Sequence, residues 1–271
     1  MRARRATRGT HVKPPIRVER DGAAAIVTID REEAGNSISA EVVDALEGFL
    51  QDAARDAELR AVVITGAGDR FFAAGGDVKR YRELRSREQL RAAFERPRRL
   101  LDDIEIFAHP VIAAINGWAL GGGAELCLAC DLRVMAGDAR IGFPYAKLSL
   151  VAGWYGAERL VHAVGQGAAR ALLLRGEPVD AAEAHRIGLV SEITAPGGAL
   201  QRATALAGEL AACAPLTMAA TKRVLHAIAR ESPSHARAVA DREFEELWVS
   251  EDHREAEAAF AEKRTPHFKG R

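Results

Sequence analysis

Apolar and polar positions along this chain follow two periods. Ile16 to Arg20 and Ala24 to Asp30 read as a pair of β-strands around Asp21-Gly22, a dipeptide favoured in hairpins. Ser39 predicts an N-cap for a helix in which Val42, Val43, Leu46, Phe49, Leu50 and Ala53 form one apolar stripe at i, i+4, i+7 and i+8 spacing. RAVVIT, Arg60 to Thr65, is an uninterrupted apolar run of strand length. The run Val111 to Ile115 starts the succession again, through a helix at Gly123 to a strand at Leu132 to Met135. A recurring unit of strand, strand and helix suits an α/β spiral of ββα turns. Beyond Ala157 the period becomes helical, over Glu158 to Leu174, Ala181 to Ile187, Leu200 to Cys213 and Ser234 to Phe260, with Pro215 and Pro233 at expected breaks. Phe244, Leu247, Trp248 and Phe260 in the last of these segments need a surface to cover.

Composition narrows the classes. The 271 residues suffice for one substantial core, alone or with a helical appendage. Lys plus Arg and Asp plus Glu each number 38, so no overall basic field argues for nucleic acid. The apolar runs are too short for a bilayer and no secretory apolar segment is evident, which predicts a soluble cytoplasmic protein without a membrane partner. Cys127 and Cys130 make a C-x-x-C, but they lie in an apolar helical segment, ELCLACDL, with no second Cys/His pair at ligand spacing. They are expected to be buried structural thiols in a reducing compartment, and no metal site is expected. Residues 1–15, MRARRATRGTHVKPP, are basic, lack any acid and lack an amphipathic face. They are expected to form a flexible tail without chemistry.

Two glycine-rich corners carry the chemistry. VIAAINGWALGGGAEL, Val111 to Leu126, runs a strand through Gly121, Gly122 and Gly123 into a helix. The first amides of a helix have no internal partner, and the helix dipole favours negative charge beside them. Glycine removes the side chain that would block a ligand oxygen. The strand at Arg60 to Thr65 leads likewise through GAGD and FFAAGGDVK, where Gly75 and Gly76 precede a helix start at Asp77. Two such corners aimed at one point make an oxyanion hole, which stabilises charge developing on a carbonyl oxygen.

FFAAGGDVK, PVIAAINGWALGGGAELCLACDLRV and the closing AFAEKRTPHFKG resemble, in order and from about Ile16 to Arg271, the crotonase (enoyl-CoA hydratase/isomerase) superfamily. The resemblance implies the same ββα spiral, with a core over residues 16–198 and a helical region over 199–271 that completes the CoA site and packs on neighbouring subunits as a homotrimer or a dimer of trimers. It implies no tightly bound cofactor, coenzyme A being part of the thioester substrate. The thioester oxygen would lie between the amides of Gly76 and Gly122. Ala74, Gly75, Asp77 and Val78 would neighbour the adenine and pantetheine, with Ser37 along the same groove. Lys79 and Lys263 would meet CoA phosphates, the second across a subunit boundary.

Glu125 matches the first of the two glutamates that hydratases of this superfamily use. A carboxylate beside an apolar pocket has its pKa raised by desolvation, which suits it to hold water or move a proton. The second glutamate belongs after a proline in the segment IGFPYAKLSLVAGWYG, where this chain has Tyr145 instead, and no acid occurs between Arg140 and Ala157. A tyrosine titrating near ~10 does not replace a carboxylate that both gives and takes protons at neutral pH. Two reaction readings follow: a divergent hydratase or isomerase in which Glu125 works alone, with Tyr145 or Tyr155 placing a water or the substrate, or decarboxylation of a malonyl-type acyl-CoA. WALGGGAE followed by CDLRVM also resembles the ethylmalonyl-CoA decarboxylase branch. A non-catalytic acyl-CoA binder is the rival of another class. RSREQLRAAFERPRRL is a basic stretch, but aromatic residues for stacking on nucleic-acid bases are scarce in it.

Overall fold

In the computed structural model, which describes residues 13–271, β1 (Ile16–Asp21) and β2 (Ala24–Ile29) pair antiparallel as the Asp21-Gly22 signal predicts. α1 (Ala40–Ala53) follows, and the Ser39 hydroxyl accepts from the Val42 amide at its start. Three ββα turns come next. The first is β3 (Ala61–Gly66), β4 (Phe71–Ala73), the short α2 (Val78–Tyr81) and α3 (Arg87–Ile106). The second is β5 (Val111–Ile115), β6 (Trp118–Leu120) and α4 (Gly122–Ala129). The third is β7 (Leu132–Ala136), β8 (Arg140–Gly142), a 3-10 turn over Pro144–Leu148 and α5 (Gly156–Arg175). The chain continues through β9 (Val179–Asp180), α6 (Ala181–Arg186), β10 (Glu192–Thr194), α7 (Ala199–Ala211), α8 (Pro215–Arg230), α9 (Pro233–Trp248) and α10 (Glu251–Glu262).

Each turn gives a long strand to a six-stranded sheet, order β1-β2-β3-β5-β7-β10, and a short one to a four-stranded sheet, order β4-β6-β8-β9. The large sheet is parallel from β2 onward. Its inner strands β2, β3 and β5 are covered on both faces, which is why they read as continuous apolar runs rather than alternating ones. Alternate residues of β3 divide between two cores. Val62 and Ile64 join the larger core with Val42, Leu46 and Leu126, while Ala61 and Val63 meet Ala203, Leu206 and Ala207 of α7. α7, the first helix of the 199–271 region, is therefore packed on the sheet.

The predicted ββα spiral is the observed architecture, with differences in detail. The short strands β4, β6 and β8 have only three residues each and carry little period of their own. α3 is marked by a capping box in which Ser86 and Gln89 bond each other's backbone amides, although Pro97 lies inside it. The apolar period from Ser234 to Phe260 spans two helices, because Ser250 accepts from the His253 amide and opens α10 as a separate helix. Pro215 and Pro233 are the first residues of α8 and α9, the helical position where a missing N–H costs nothing. Of the basic segment 1–15, residues 1–12 lie outside the described residues. Lys13 pairs with the buried Asp30 at 2.6 Å, and Asp30 donates its amide to the Pro15 carbonyl. Among the described residues no single helix is long and apolar enough to cross a membrane.

One ion pair ties α8 to the base of the second turn. Lys222 Nζ donates to Asp131 Oδ2 at 2.6 Å and to the His109 carbonyl at 3.2 Å, and the same carboxylate oxygen accepts from the Val111 amide at the start of β5. Burial pushes Asp131 up, and the Lys222 charge opposes that rise. Lys222→Met leaves this carboxylate without its cation. It is expected to lower stability by about 1.5–3 kcal/mol, the range for hydrogen bonds to charged groups, read as a lower urea midpoint at unchanged slope.

Candidate active site

The small sheet decides where the site falls. β4, β6 and β8 are parallel neighbours, with Phe71 opposite Trp118 and Leu120 opposite Gly142, so the three chains leave this sheet at one end and side by side. The first exit is Ala74-Gly75-Gly76, the second Gly121-Gly122, and the third Phe143-Pro144-Tyr145. The Gly121 amide donates to the Gly142 carbonyl at 3.0 Å across the last two. A Cβ on Gly75 would lie 3.1 Å from the Leu120 carbonyl oxygen and 3.5 Å from the Gly122 nitrogen, so the two glycine corners abut.

The glycines are fixed by what touches them as much as by their backbone. Gly75 has φ +117 and Gly121 has φ +51 with ψ −120, conformations that L side chains rarely adopt. At Gly122 a Cβ would collide with the Trp154 ring, and at Gly76 it would meet the Tyr81 ring at 2.6 Å. A Cβ on Gly123 would run into the Ala73 carbonyl, which is what lets α4 pack directly on β4. Gly122 opens α4, so its N–H has no partner one turn back, and among the described residues the Gly76 N–H donates to no backbone carbonyl.

Glu125 lies on the first turn of α4, a helix whose eight residues are all buried, and is itself 1% exposed. One carboxylate oxygen accepts from the Tyr145 hydroxyl. The other accepts from the Trp154 amide at 2.9 Å and the Gly156 amide at 2.6 Å. Gly156 is the first residue of α5, so this carboxylate also faces the positive end of that helix. Gly156 has no side chain to spare, because a Cβ there would collide with Glu125. Burial raises Glu125 above the usual carboxylate range, while the hydrogen bonds from Tyr145, Gly156 and Trp154 pull the other way. Burial and the adjacent Glu125 charge push the Tyr145 phenol far up, which keeps its O–H as a donor.

These groups meet in a cavity of about 320 Å³. Gly76, Gly122, Glu125 and Tyr145 line it together, as do Ala74, Gly75 and Val78. The remaining wall is mostly apolar, supplied by Tyr81, Leu90, Phe94, Leu148, Val151 and Trp154. Burial pushes the Tyr81 phenol up to about 12. Arg98 is the exception on this wall, the one cation among the lining residues.

Other residues singled out from the sequence lie elsewhere. Asp77 caps α2, accepting from the Arg80 amide at 3.3 Å, and faces a smaller neighbouring cavity of about 130 Å³. Ser37 runs beside the first glycine corner, since the Ile38 amide donates to the Gly75 carbonyl and the Ala74 amide to Gly35. Its own carbonyl and hydroxyl accept from Arg31. Lys79 is exposed on α2, and Lys263 is exposed at the end of α10 with φ 55, so neither lines this chain's cavity. Tyr155, offered with Tyr145 as a positioning tyrosine, turns its ring onto the Arg98 guanidinium at 4.8 Å, and Tyr145 alone reaches Glu125. Cys127 and Cys130 are both buried, with thiols pushed up by burial, as the structural reading of that pair expects. The stretch RSREQLRAAFERPRRL forms much of α3, with Arg96 paired to Asp44 and Glu47, and Arg99 to Glu95. Sequence reasoning did not single out Trp154, Gly156 or Arg98. The only signal was the glycine-flanked GWYG, whose Tyr155 takes φ 65 while the amides on either side of it, those of Trp154 and Gly156, turn toward Glu125.

The family model described as enoyl-CoA hydratase/isomerase matches residues 19–271. A probable enoyl-CoA hydratase of Bacillus subtilis is 38% identical over 92% of this chain and 96% of its own length. The 2,3-dehydroadipyl-CoA hydratase of Escherichia coli is 36% identical over 94% of this chain and 98% of its own. The crystal structure of an enoyl-CoA hydratase from Bacillus anthracis superposes with a TM-score of 0.90 at 32% identity, covering 95% of this chain and all of that one. The glycine corners, the buried glutamate and the ββα spiral thus sit in a chain that belongs to the enoyl-CoA hydratase/isomerase family, the crotonase superfamily of acyl-CoA-processing enzymes.

Proposed function

We propose that this enzyme works through the enolate of an acyl-CoA thioester, as a hydratase/isomerase-type catalyst with a single carboxylate for proton transfer. The observation that carries the reading is Glu125, bonded to Tyr145 on a cavity wall that holds no second acid among its described lining residues. The thioester oxygen accepts from the amides of Gly76 and Gly122, and the charge it gains in the transition state is met by donors already in place. Removing one such donor costs about 10²–10³ in rate. Glu125 takes the proton from the acyl chain and returns it, and Tyr145 holds one carboxylate oxygen while staying neutral. One group that takes and returns a proton suffices to shift a double bond, whereas rapid hydration asks for a second. Coenzyme A enters as part of the substrate, along Ala74, Gly75, Asp77 and Val78 with Ser37 beside them. Its phosphates meet Lys79 and, from a neighbouring subunit, Lys263.

A second reading is favoured by the saturation of Glu125, whose oxygens already accept three hydrogen bonds. Decarboxylation of a malonyl-type thioester needs no base. Carbon dioxide leaves, its bonding electrons form the enolate held by the two amides, and a proton from solvent then adds to the α-carbon. Incubation with enoyl-, malonyl- and cyclic acyl-CoA thioesters in heavy-oxygen water separates the readings. Incorporated oxygen marks hydration, an unchanged mass with a moved double bond marks isomerisation, and lost carbon dioxide marks decarboxylation. Binding without turnover of any thioester selects the non-catalytic binder.

The trimer or dimer of trimers is supported by apolar side chains left on the outside of the C-terminal helices, Phe244, Trp248 and Phe260, the last 88% exposed. Light scattering is expected to give three or six chain masses, and a monomer overturns this arrangement.

Glu125→Gln is the discriminating variant, because its carbonyl still accepts from Trp154 and Gly156 and its amide still meets Tyr145. It is expected to lose proton exchange at the α- or γ-carbon by about 10²–10⁴ while keeping thioester affinity and unfolding midpoint near the parent's. Glu125→Ala leaves two buried amides without acceptors and is expected to cost about 1–3 kcal/mol for each. Burial raises Glu125 from 4.5, so its contribution to stability is fully present below that value and is lost as pH rises through the raised one. The parent is therefore expected to lose stability relative to Glu125→Gln as pH climbs through this window. Fast crotonyl-CoA hydration that survives Glu125→Gln contradicts the assignment.

A further inference from the structure

Arg98 is a cation built into an apolar cavity without an anion of its own. It projects from α3 and its Nε donates to the Gly153 carbonyl at 2.8 Å. The guanidinium carbon lies 4.8 Å from the centre of the Tyr155 ring and 5.9 Å from that of Phe94, so the plane is held between a carbonyl and two aromatic faces. Among the described residues no carboxylate oxygen comes within 4.0 Å of it, and neither Nη group makes a hydrogen bond. The acids nearest along the helix are already engaged. Glu95 pairs with Arg99 at 3.1 Å, and Asp102 pairs with Arg159 at 2.5 Å. Glu125, the other charged group on the cavity wall, has its oxygens bonded to Tyr145, Trp154 and Gly156.

The place of this cation in the cavity decides what it meets. Its anchor, Gly153, precedes Trp154, whose ring closes over Gly122. Arg98 therefore belongs to the wall beside Gly122 and Glu125, the acyl end of the cavity in the proposed reading on which this inference rests. A guanidinium with its Nε already fixed and its outer N–H groups unused is a preformed two-pronged donor for a planar anion. Beside the half-buried Phe94 and the buried Trp154 such a pair is stronger than in water. We propose that Arg98 is a specificity-determining residue for acyl-CoA thioesters whose acyl group carries a carboxylate of its own. That carboxylate has two possible sources, the far end of a dicarboxylic enoyl chain or the α-carboxylate of a malonyl-type group, and the test carries one arm for each.

The experiment compares matched pairs on the full-length protein. One pair is a six-carbon trans-2-enoyl-CoA and the same chain ending in a carboxylate. The other is malonyl-CoA and acetyl-CoA, and dissociation constants are measured for both pairs by calorimetry alongside kcat/KM. The parent is expected to prefer the carboxylated member of at least one pair, and the pair that responds identifies the source. Arg98→Leu should reduce that preference, as the ratio within the pair, by about 10- to 100-fold, with Arg98→Lys between the two. A strut that only supports Gly153 would lower both members together and leave the ratio unmoved. An unmoved ratio, or a parent that prefers the uncharged member of both pairs, overturns the proposal. Carboxylate-selective binding without turnover upholds Arg98 and defeats the enzymatic reading. Turnover without selectivity does the reverse.

Discussion

The three hydrogen bonds that converge on Glu125 join three parts of the chain that are separate in sequence. Its backbone belongs to α4, and its partners are the phenol of Tyr145 in the 3-10 turn after β8 and two amides at the entrance of α5. An ionised carboxylate at 1% exposure is tolerable only when its lone pairs are taken up, so these elements are held to one arrangement or the charge is left stranded. The loop that supplies the two amides is itself secured from outside the cavity. Arg159 donates to the Trp154 carbonyl at 2.8 Å and pairs with Asp102 and Glu105 of α3. One chain of contacts thus runs from the outer helix α3 through Arg159 and Trp154 to the carboxylate.

In the proposed reading such an arrangement gives Glu125 two kinds of work that oppose each other. A base acts with a free lone pair, and a structural acceptor uses its lone pairs up. Tyr145 relaxes the conflict, because a phenol pushed well above its normal pKa yields its hydrogen bond more readily than it yields its proton. In that reading one side chain and a neutral phenol share duties that two carboxylates would divide between them.

The larger features were legible from the sequence because their signals are local or periodic. The Ser39 cap, the hairpin at Asp21-Gly22 and the apolar strands at Ala61 and Val111 all appear where the residues predict them. So does the meeting of the two glycine corners, since each corner follows one of two parallel neighbouring strands of the small sheet, β4 and β6. The parts that were not legible depend on contacts between distant segments. Trp154 looks like an ordinary aromatic in a loop, and its role against Gly122 exists only once α5 has docked. Arg98 looks like one arginine among several in a basic helix. What sets it apart is that Arg99 and Arg159 have taken the acids within its reach, a competition no spacing rule records. The second strand of each ββα turn is three residues long, too short for a period of two to declare itself.

Gly122 presents its amide to one side and its bare α-carbon to the ring of Trp154 on the other. In the proposed reading, donor and acyl-pocket wall are thus two faces of a single residue. Any lineage that reshapes the acyl pocket at Trp154 also disturbs the seat of that amide, and any change at Gly122 expels the indole. Selection on substrate shape and selection on catalytic power are therefore epistatic at this contact. Divergence in chain-length preference is freer at Leu148 and Val151, 59% and 84% exposed at the rim, where a side chain can be exchanged without disturbing that amide.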